Sequence, residues 1–125
     1  MTDSPAHTAR TQPSDEIWTV KRSGTVVARS SAAVLVLESY DGNEFPAVAY
    51  LPIDDVQVEL QGPTGHETVC PVKGKASYYS PNLEGDDRAD LENSVWYYPN
   101  PMSPLEPITG HVAFYGDRYE ITSEA

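Results

Sequence analysis

The chain has 125 residues, enough for one domain with one hydrophobic core. Eight Lys and Arg stand against nineteen Asp and Glu, a formal net charge of −11 that repels phosphate backbones and disfavours nucleic acid as a partner. The single cysteine, Cys70, excludes an intramolecular disulfide.

No run of about 18 apolar residues is present, so no membrane partner is expected. The stretch from Met1 to Ser14 lacks the apolar segment of a secretory signal, and the expectation is a cytoplasmic protein. A structural zinc site takes about four Cys and His ligands at tight spacing. The donors here are Cys70, His7, His66 and His111, and His7 falls in a polar tail. Neither a metal nor another cofactor is expected.

Residues 1–14 are rich in Thr, Ser, Pro and Ala and bury little apolar area, which predicts a disordered arm ahead of one domain over 15–123. Ile17–Arg22 alternates and is β-branched, and Thr25–Ser30 returns after Ser23-Gly24, a hairpin pattern. Ala33–Glu38 is a short continuous apolar run, predicting a strand buried on both faces. Asp41-Gly42-Asn43 is a turn, and Pro46–Leu51 is the next strand.

Pro52–Val56 suits a turn or a single helical turn. Val56–Leu60 alternates, predicting a strand, and Gly62–Gly65 is a loop. Glu67–Cys70 and Lys73–Tyr79 read as two strands hinged at Cys70-Pro71. Pro81–Glu92 is acidic, a solvated loop or a short helix over Asp87–Leu91, and a surface for a basic partner. Val95–Pro99 is an aromatic strand, followed by a proline-rich connector over Asn100–Pro107. His111–Tyr115, Gly116-Asp117 and Arg118–Thr122 predict a closing hairpin. Nine or ten short strands without a sustained helical period point to an all-β barrel or two packed sheets.

The motifs add a family. Gly24, Val27-Ala28, Ser30, Glu38 and Tyr50-x-Pro52-x-x-Asp55-Val56 lead into Thr68-x-Cys70-Pro71-x-Lys73-Gly74-x-Ala76-x-Tyr78. Trp96-x-Tyr98-x-x-Pro101 and Ile108-x-Gly110-x-Val112-Ala113-Phe114-Tyr115 complete the pattern. Over Glu16–Thr122 the chain resembles the family called domain of unknown function 427, which also carries a nucleotidyltransferase-like label. The resemblance implies a compact single-domain all-β fold with little helix, similar to the β-tent of methionine sulfoxide reductase B and related zinc folds. The paired cysteines of those zinc folds are absent, so zinc does not carry over. Val72 stands where many family members have an aromatic, and Pro81–Glu92 is longer than usual. No Gly-Ser and paired-carboxylate pattern of a standard nucleotidyltransferase is present.

Cys70 and Lys73 are the candidate catalytic pair. A cysteine reacts as thiolate, which a nearby cation favours, and Lys73 is three residues away. The plain alternative is a small buried core residue. His66 is a candidate base or a simple loop histidine. Lys73 suits an anionic ligand, or an ion pair with Glu38 or Asp55. Tyr50, Tyr78, Trp96 and Tyr98 are candidates to line a ligand pocket, with Asp55 and Glu38 as polar partners, although a hydrophobic core also explains aromatics. Strand alternation puts Trp96 and Tyr98 on one face and Tyr97 on the other.

Three readings follow. The first is a domain that binds a small, nucleotide-like molecule through the aromatics and Lys73. The second is a transferase- or hydrolase-like enzyme with Cys70 as nucleophile. The third is a protein-interaction module.

Overall fold

The protein is described by a computed structural model over residues 6–125. Its strands are β1 (His7–Pro13), β2 (Ile17–Arg22), β3 (Thr25–Ser30), β4 (Val34–Tyr40), β5 (Asn43–Glu44) and β6 (Val48–Pro52). They continue as β7 (Leu60–Gln61), β8 (Glu67–Cys70), β9 (Gly74–Pro81), β10 (Val95–Tyr97), β11 (His111–Phe114) and β12 (Glu120–Glu124). The one α-helix among the described residues is α1 (Arg88–Leu91), and 3-10 turns cover Ile53–Asp55 and Ser103–Ile108. The fold is all-β, as the turn spacing predicts.

The larger sheet runs β1-β4-β6-β11-β10-β9-β7, with β5 on β4 and β8 on β9. The smaller sheet is β12-β2-β3. A bridge between Ala28 and Val56 ties the two together. The β2–β3 turn has positive φ at both central residues, 51° at Ser23 and 80° at Gly24, which matches the right-handed twist of the strands it joins.

Side-chain alternation splits the core in two. Leu51, Val95, Val112 and Phe114 join Val20, Val27 and Tyr119 in the core between the sheets. Their neighbours Tyr50, Ala113 and Trp96 turn to the other face, with Val36, Ala76, Tyr78, Tyr98, Leu105 and Ile108. The candidate aromatics Tyr50, Tyr78, Trp96 and Tyr98 lie on this second face.

Four expectations are corrected. The disordered arm gives way from His7 onward to β1, which pairs with β4 over the whole of His7–Pro13. Backbone bonding along β4 supplies the stability that this polar segment cannot gain by burial. Residues 1–5 of the expected arm lie outside the described residues.

The run Ala33–Glu38 forms β4 from Val34, but not with both faces buried. Val36 is buried, while Leu35 and Leu37 on the opposite face are half-buried. Val56–Leu60 is not a strand. Val56 bridges to Ala28, Gln57 N–H donates to Val27 O at 2.7 Å, and Leu60 pairs with Pro81 of β9. The segment divides its hydrogen bonds between two sheets, so no continuous ladder forms.

The closing hairpin is also absent. Both edges of β11 are already taken by β6 and β10, so β12 cannot fold back on it and pairs with β2 instead. The reversal is a tight turn in which Arg118 and Tyr119 N–H both donate to Tyr115 O, at 3.0 and 3.1 Å.

The acidic segment is less free than its composition suggests. Asp87 caps α1, accepting from Ala89 and Asp90 N–H at 3.0 and 3.2 Å. Asp86 and Asp90 turn onto Arg22, whose Nη2 and Nη1 donate to them at 2.9 and 2.7 Å. Hydrogen bonding from Arg22 holds the Asp86 carboxyl below its ordinary range. Ser94, 1% exposed, donates to Leu91 O at 2.7 Å and shares a 2.6 Å hydrogen bond with the Tyr119 hydroxyl. The end of α1 is thereby pinned to the turn that launches β12.

Candidate functional site

Cys70 ends β8 and Gly74 opens β9, and the two pair across the hairpin, leaving Pro71-Val72-Lys73 as its tip. Gly74 has φ 117°, and a Cβ there would come 3.2 Å from Asn100 O. Only glycine admits both the left-handed backbone and the close approach of the connector. Lys73 is held on both backbone sides: its N–H donates to Cys70 O at 3.3 Å and its carbonyl accepts from Met102 N–H at 2.9 Å.

The Lys73 ammonium donates to Glu38 Oε1 at 2.7 Å. The other carboxylate oxygen, Oε2, lies 2.7 Å from His7 Nε2. Ala9 sits directly opposite Glu38 in the β1–β4 ladder and Tyr40 opposite His7, which makes His7 and Glu38 diagonal neighbours on one face. Tyr40 meets the His7 ring edge-on at 5.5 Å. Donor atoms of His7, Glu38 and Cys70 all lie within 4.8 Å of one another.

The side chains of Glu38 and Lys73 are only 19% and 17% exposed. Burial alone would push the Glu38 carboxyl up. The hydrogen bonds from Lys73 and His7 outweigh it, so the carboxyl titrates below its ordinary 4.5.

Beside this group lie the aromatics. Trp96 Nε1 donates to the Tyr50 hydroxyl at 3.0 Å, with the rings edge-on at 6.1 Å. Tyr50 and Tyr98 ring centroids are 6.4 Å apart, and Lys73 Nζ lies 6.0 Å from the Tyr98 centroid. The Tyr78 hydroxyl bonds to Thr68 Oγ1 at 2.8 Å, and the His66 ring lies 4.6 Å from the Tyr78 ring.

Burial raises the Tyr50 and Tyr98 phenols far above their ordinary 10, and the nearby Glu38 and Cys70 add to the effect. Both hydroxyls stay protonated and can donate. Burial, reinforced by Tyr78, pushes the Tyr115 phenol up to about 12.

Trp96 and Tyr98 share the face that alternation predicts. Tyr97 faces the other core, stacked on Tyr79 at 4.6 Å. Tyr50, Tyr78 and Tyr98 are buried and packed together, so the cluster offers solvent a rim rather than an open interior. Half-buried Cys70, Lys73 and Trp96 form that rim with exposed Met102 and Tyr115. The Trp96 and Tyr115 rings are 4.6 Å apart.

Of the sequence-level candidates, Cys70, Lys73, Glu38, Tyr50, Tyr78, Trp96 and Tyr98 come together. Asp55 does not: it ends the 3-10 turn after β6, on the side that packs against β3, and Lys73 pairs with Glu38 instead. His111 is likewise apart, half-buried at the start of β11 with its Nδ1 3.0 Å from Thr109 O. His7, set aside in the sequence reading as part of a polar tail, is the member that joins them. In the structure His7, Ala9 and Thr11 are half-buried while Thr8 and Arg10 are exposed, an alternation that the polar sequence does not announce.

Architecture and site together define a small all-β domain with a charged, thiol-bearing cluster set against buried tyrosines. Residues 10–125 match the family described as domain of unknown function (DUF427), and the chain belongs to that family. No curated protein matches the chain.

Proposed function

We propose that the domain binds a small molecule carrying a planar ring and an anionic group, as a nucleotide does. The observation that carries this reading is Lys73, held half-buried on Glu38 and 6.0 Å from the Tyr98 centroid. An ion pair drawn out of water beside aromatic rings is costly as packing, and a ligand site gives it a use. Glu38 takes one of the three ammonium donors, leaving the others for a carboxylate or phosphate. Tyr98 has no hydrogen-bond partner for its hydroxyl among the described residues, which suits a donor aimed at a ligand. The ring would stack on the Trp96–Tyr115 edge. Lys73 is linked to the Trp96–Tyr115 edge through Tyr98 and Tyr50, with 6.0 Å from the ammonium to the Tyr98 ring, 6.4 Å from Tyr98 to Tyr50 and 6.1 Å from Tyr50 to Trp96.

The test is calorimetric titration with nucleoside monophosphates and aromatic carboxylates, in the presence of a chelator. Binding should weaken at least about tenfold in Lys73→Met, the scale of one lost charge-assisted hydrogen bond. Equal affinity for wild type and Lys73→Met, or no binding by any of these compounds, would remove the reading.

A second reading has its own support: Cys70 lies close to a His–carboxylate pair. In that reading His7 takes the thiol proton, the Cys70 thiolate attacks an electrophilic carbon or phosphorus and displaces its leaving group, the imidazolium returns the proton to that leaving group, and Glu38 orients the imidazole. Native Cys70 would then be alkylated by iodoacetamide at pH 7 several-fold faster in wild type than in His7→Ala. Matching rates in the two proteins would discard it.

A further inference from the structure

We propose that His7, Glu38 and Cys70 form a three-ligand site for a divalent cation of the zinc class, with a fourth position open. The three side chains come from β1, β4 and the end of β8, and their donor atoms lie within 4.8 Å of one another. Imidazole, carboxylate and thiolate together are a borderline-soft donor set, matched to zinc rather than to magnesium or calcium.

The geometry needs only small changes. Tetrahedral zinc holds such donors about 3.3–3.8 Å apart, given metal–ligand bonds of about 2.0–2.3 Å. The His7–Glu38 contact of 2.7 Å would open slightly, and the wider donor separations would close by about 1 Å. None of the three residues is fully buried, so the side chains have room to adjust.

The surrounding shell is already in place. Lys73 engages Glu38 Oε1 and leaves Oε2, the oxygen on the His7 side, for the cation. Holding one carboxylate oxygen this way fixes the other toward a metal. The edge-on Tyr40 ring sets the imidazole plane. With the Cys70 proton released to solvent on binding, thiolate and carboxylate balance the dication, and Lys73 adds the only excess charge. A net charge of −11 raises the local concentration of cations around the whole protein.

Three protein ligands and one open position describe a site that can also hold a water or a substrate atom. The inference does not depend on the ligand reading, because it concerns the cation alone.

The test is titration of the full chain with zinc(II), and separately with cobalt(II), with no other ligand present. One cation per chain should bind, with proton release and an intense near-ultraviolet thiolate-to-cobalt band. Cys70→Ser should abolish the band, and His7→Ala should weaken binding at least about tenfold. His66→Ala and His111→Ala should match wild type. Circular dichroism confirms that each variant is folded, and Glu38→Gln serves as an independent ligand-deletion variant if His7→Ala is not. Absence of saturable binding would overturn the proposal, as would a cobalt band that persists in Cys70→Ser.

Discussion

Replacing Glu38 with Gln should cost about 1.5–3 kcal/mol of stability at pH 7, the worth of hydrogen bonds to charged groups. The figure stays below the roughly 3–5 kcal/mol of a fully buried broken pair, because both partners keep some contact with water. Gln keeps the volume and one acceptor oxygen. It removes the negative charge that holds Lys73 and His7 from opposite sides.

The pH dependence gives the sign independently. A carboxyl depressed in the folded state contributes stability that is full above its unfolded value, near 4.5. That contribution fades as pH falls through the lower folded value. Urea melts should therefore show wild type well ahead of Glu38→Gln at neutral pH, with the gap narrowing below about pH 4. A gap that stays constant with pH would mean that the carboxylate charge is not what holds the cluster.

Leu105→Ala should cost about 2–4 kcal/mol and lower the melting temperature by roughly 10 °C. Leu105 is fully buried in the 3-10 turn Ser103–Ile108, under the same face that carries Tyr50, Tyr78 and Tyr98. That turn packs on β1 and β4, the strands that present His7 and Glu38. Its leading residue Met102 also donates to the Lys73 carbonyl. The proline-rich connector is thus the floor of the site, and a cavity there loosens the hairpin tip as well as the core. Thermal melts followed by circular dichroism measure the loss. A change under about 1 kcal/mol would show that the floor is not closely packed.

Much of this was legible in the sequence because strand signals are local. Alternation in Ile17–Arg22, the Ser23-Gly24 turn and the Cys70-Pro71 hinge all follow from residues a few positions apart. The same alternation sorted Trp96 and Tyr98 from Tyr97. The pairing of Lys73 with Glu38 was one of two options, since either acid could meet a lysine 35 or fewer positions away. Asp55 was set aside by topology: the 3-10 turn carries it toward β3.

What the sequence hid was non-local. Nothing near Gly116-Asp117 announces that β11 has no free edge, so the hairpin pattern there was misleading. Residues 7–13 carry no apolar stripe. Their order comes from backbone pairing with β4, and with that order comes His7, without which Glu38 and Cys70 look like separate residues.

The most direct measurement is the two-dimensional NMR spectrum of the two tryptophan indoles during titration with a nucleoside monophosphate. Trp96 belongs to the proposed site, through its bond to the Tyr50 hydroxyl, while Trp18 bonds to Ser14 Oγ at 2.9 Å, far along the chain on β2. The expected result is a saturable shift of the Trp96 indole together with the amides of Cys70–Tyr78, with Trp18 unmoved. A shift confined to Trp18, or no shift of either indole at saturating ligand, would contradict the account.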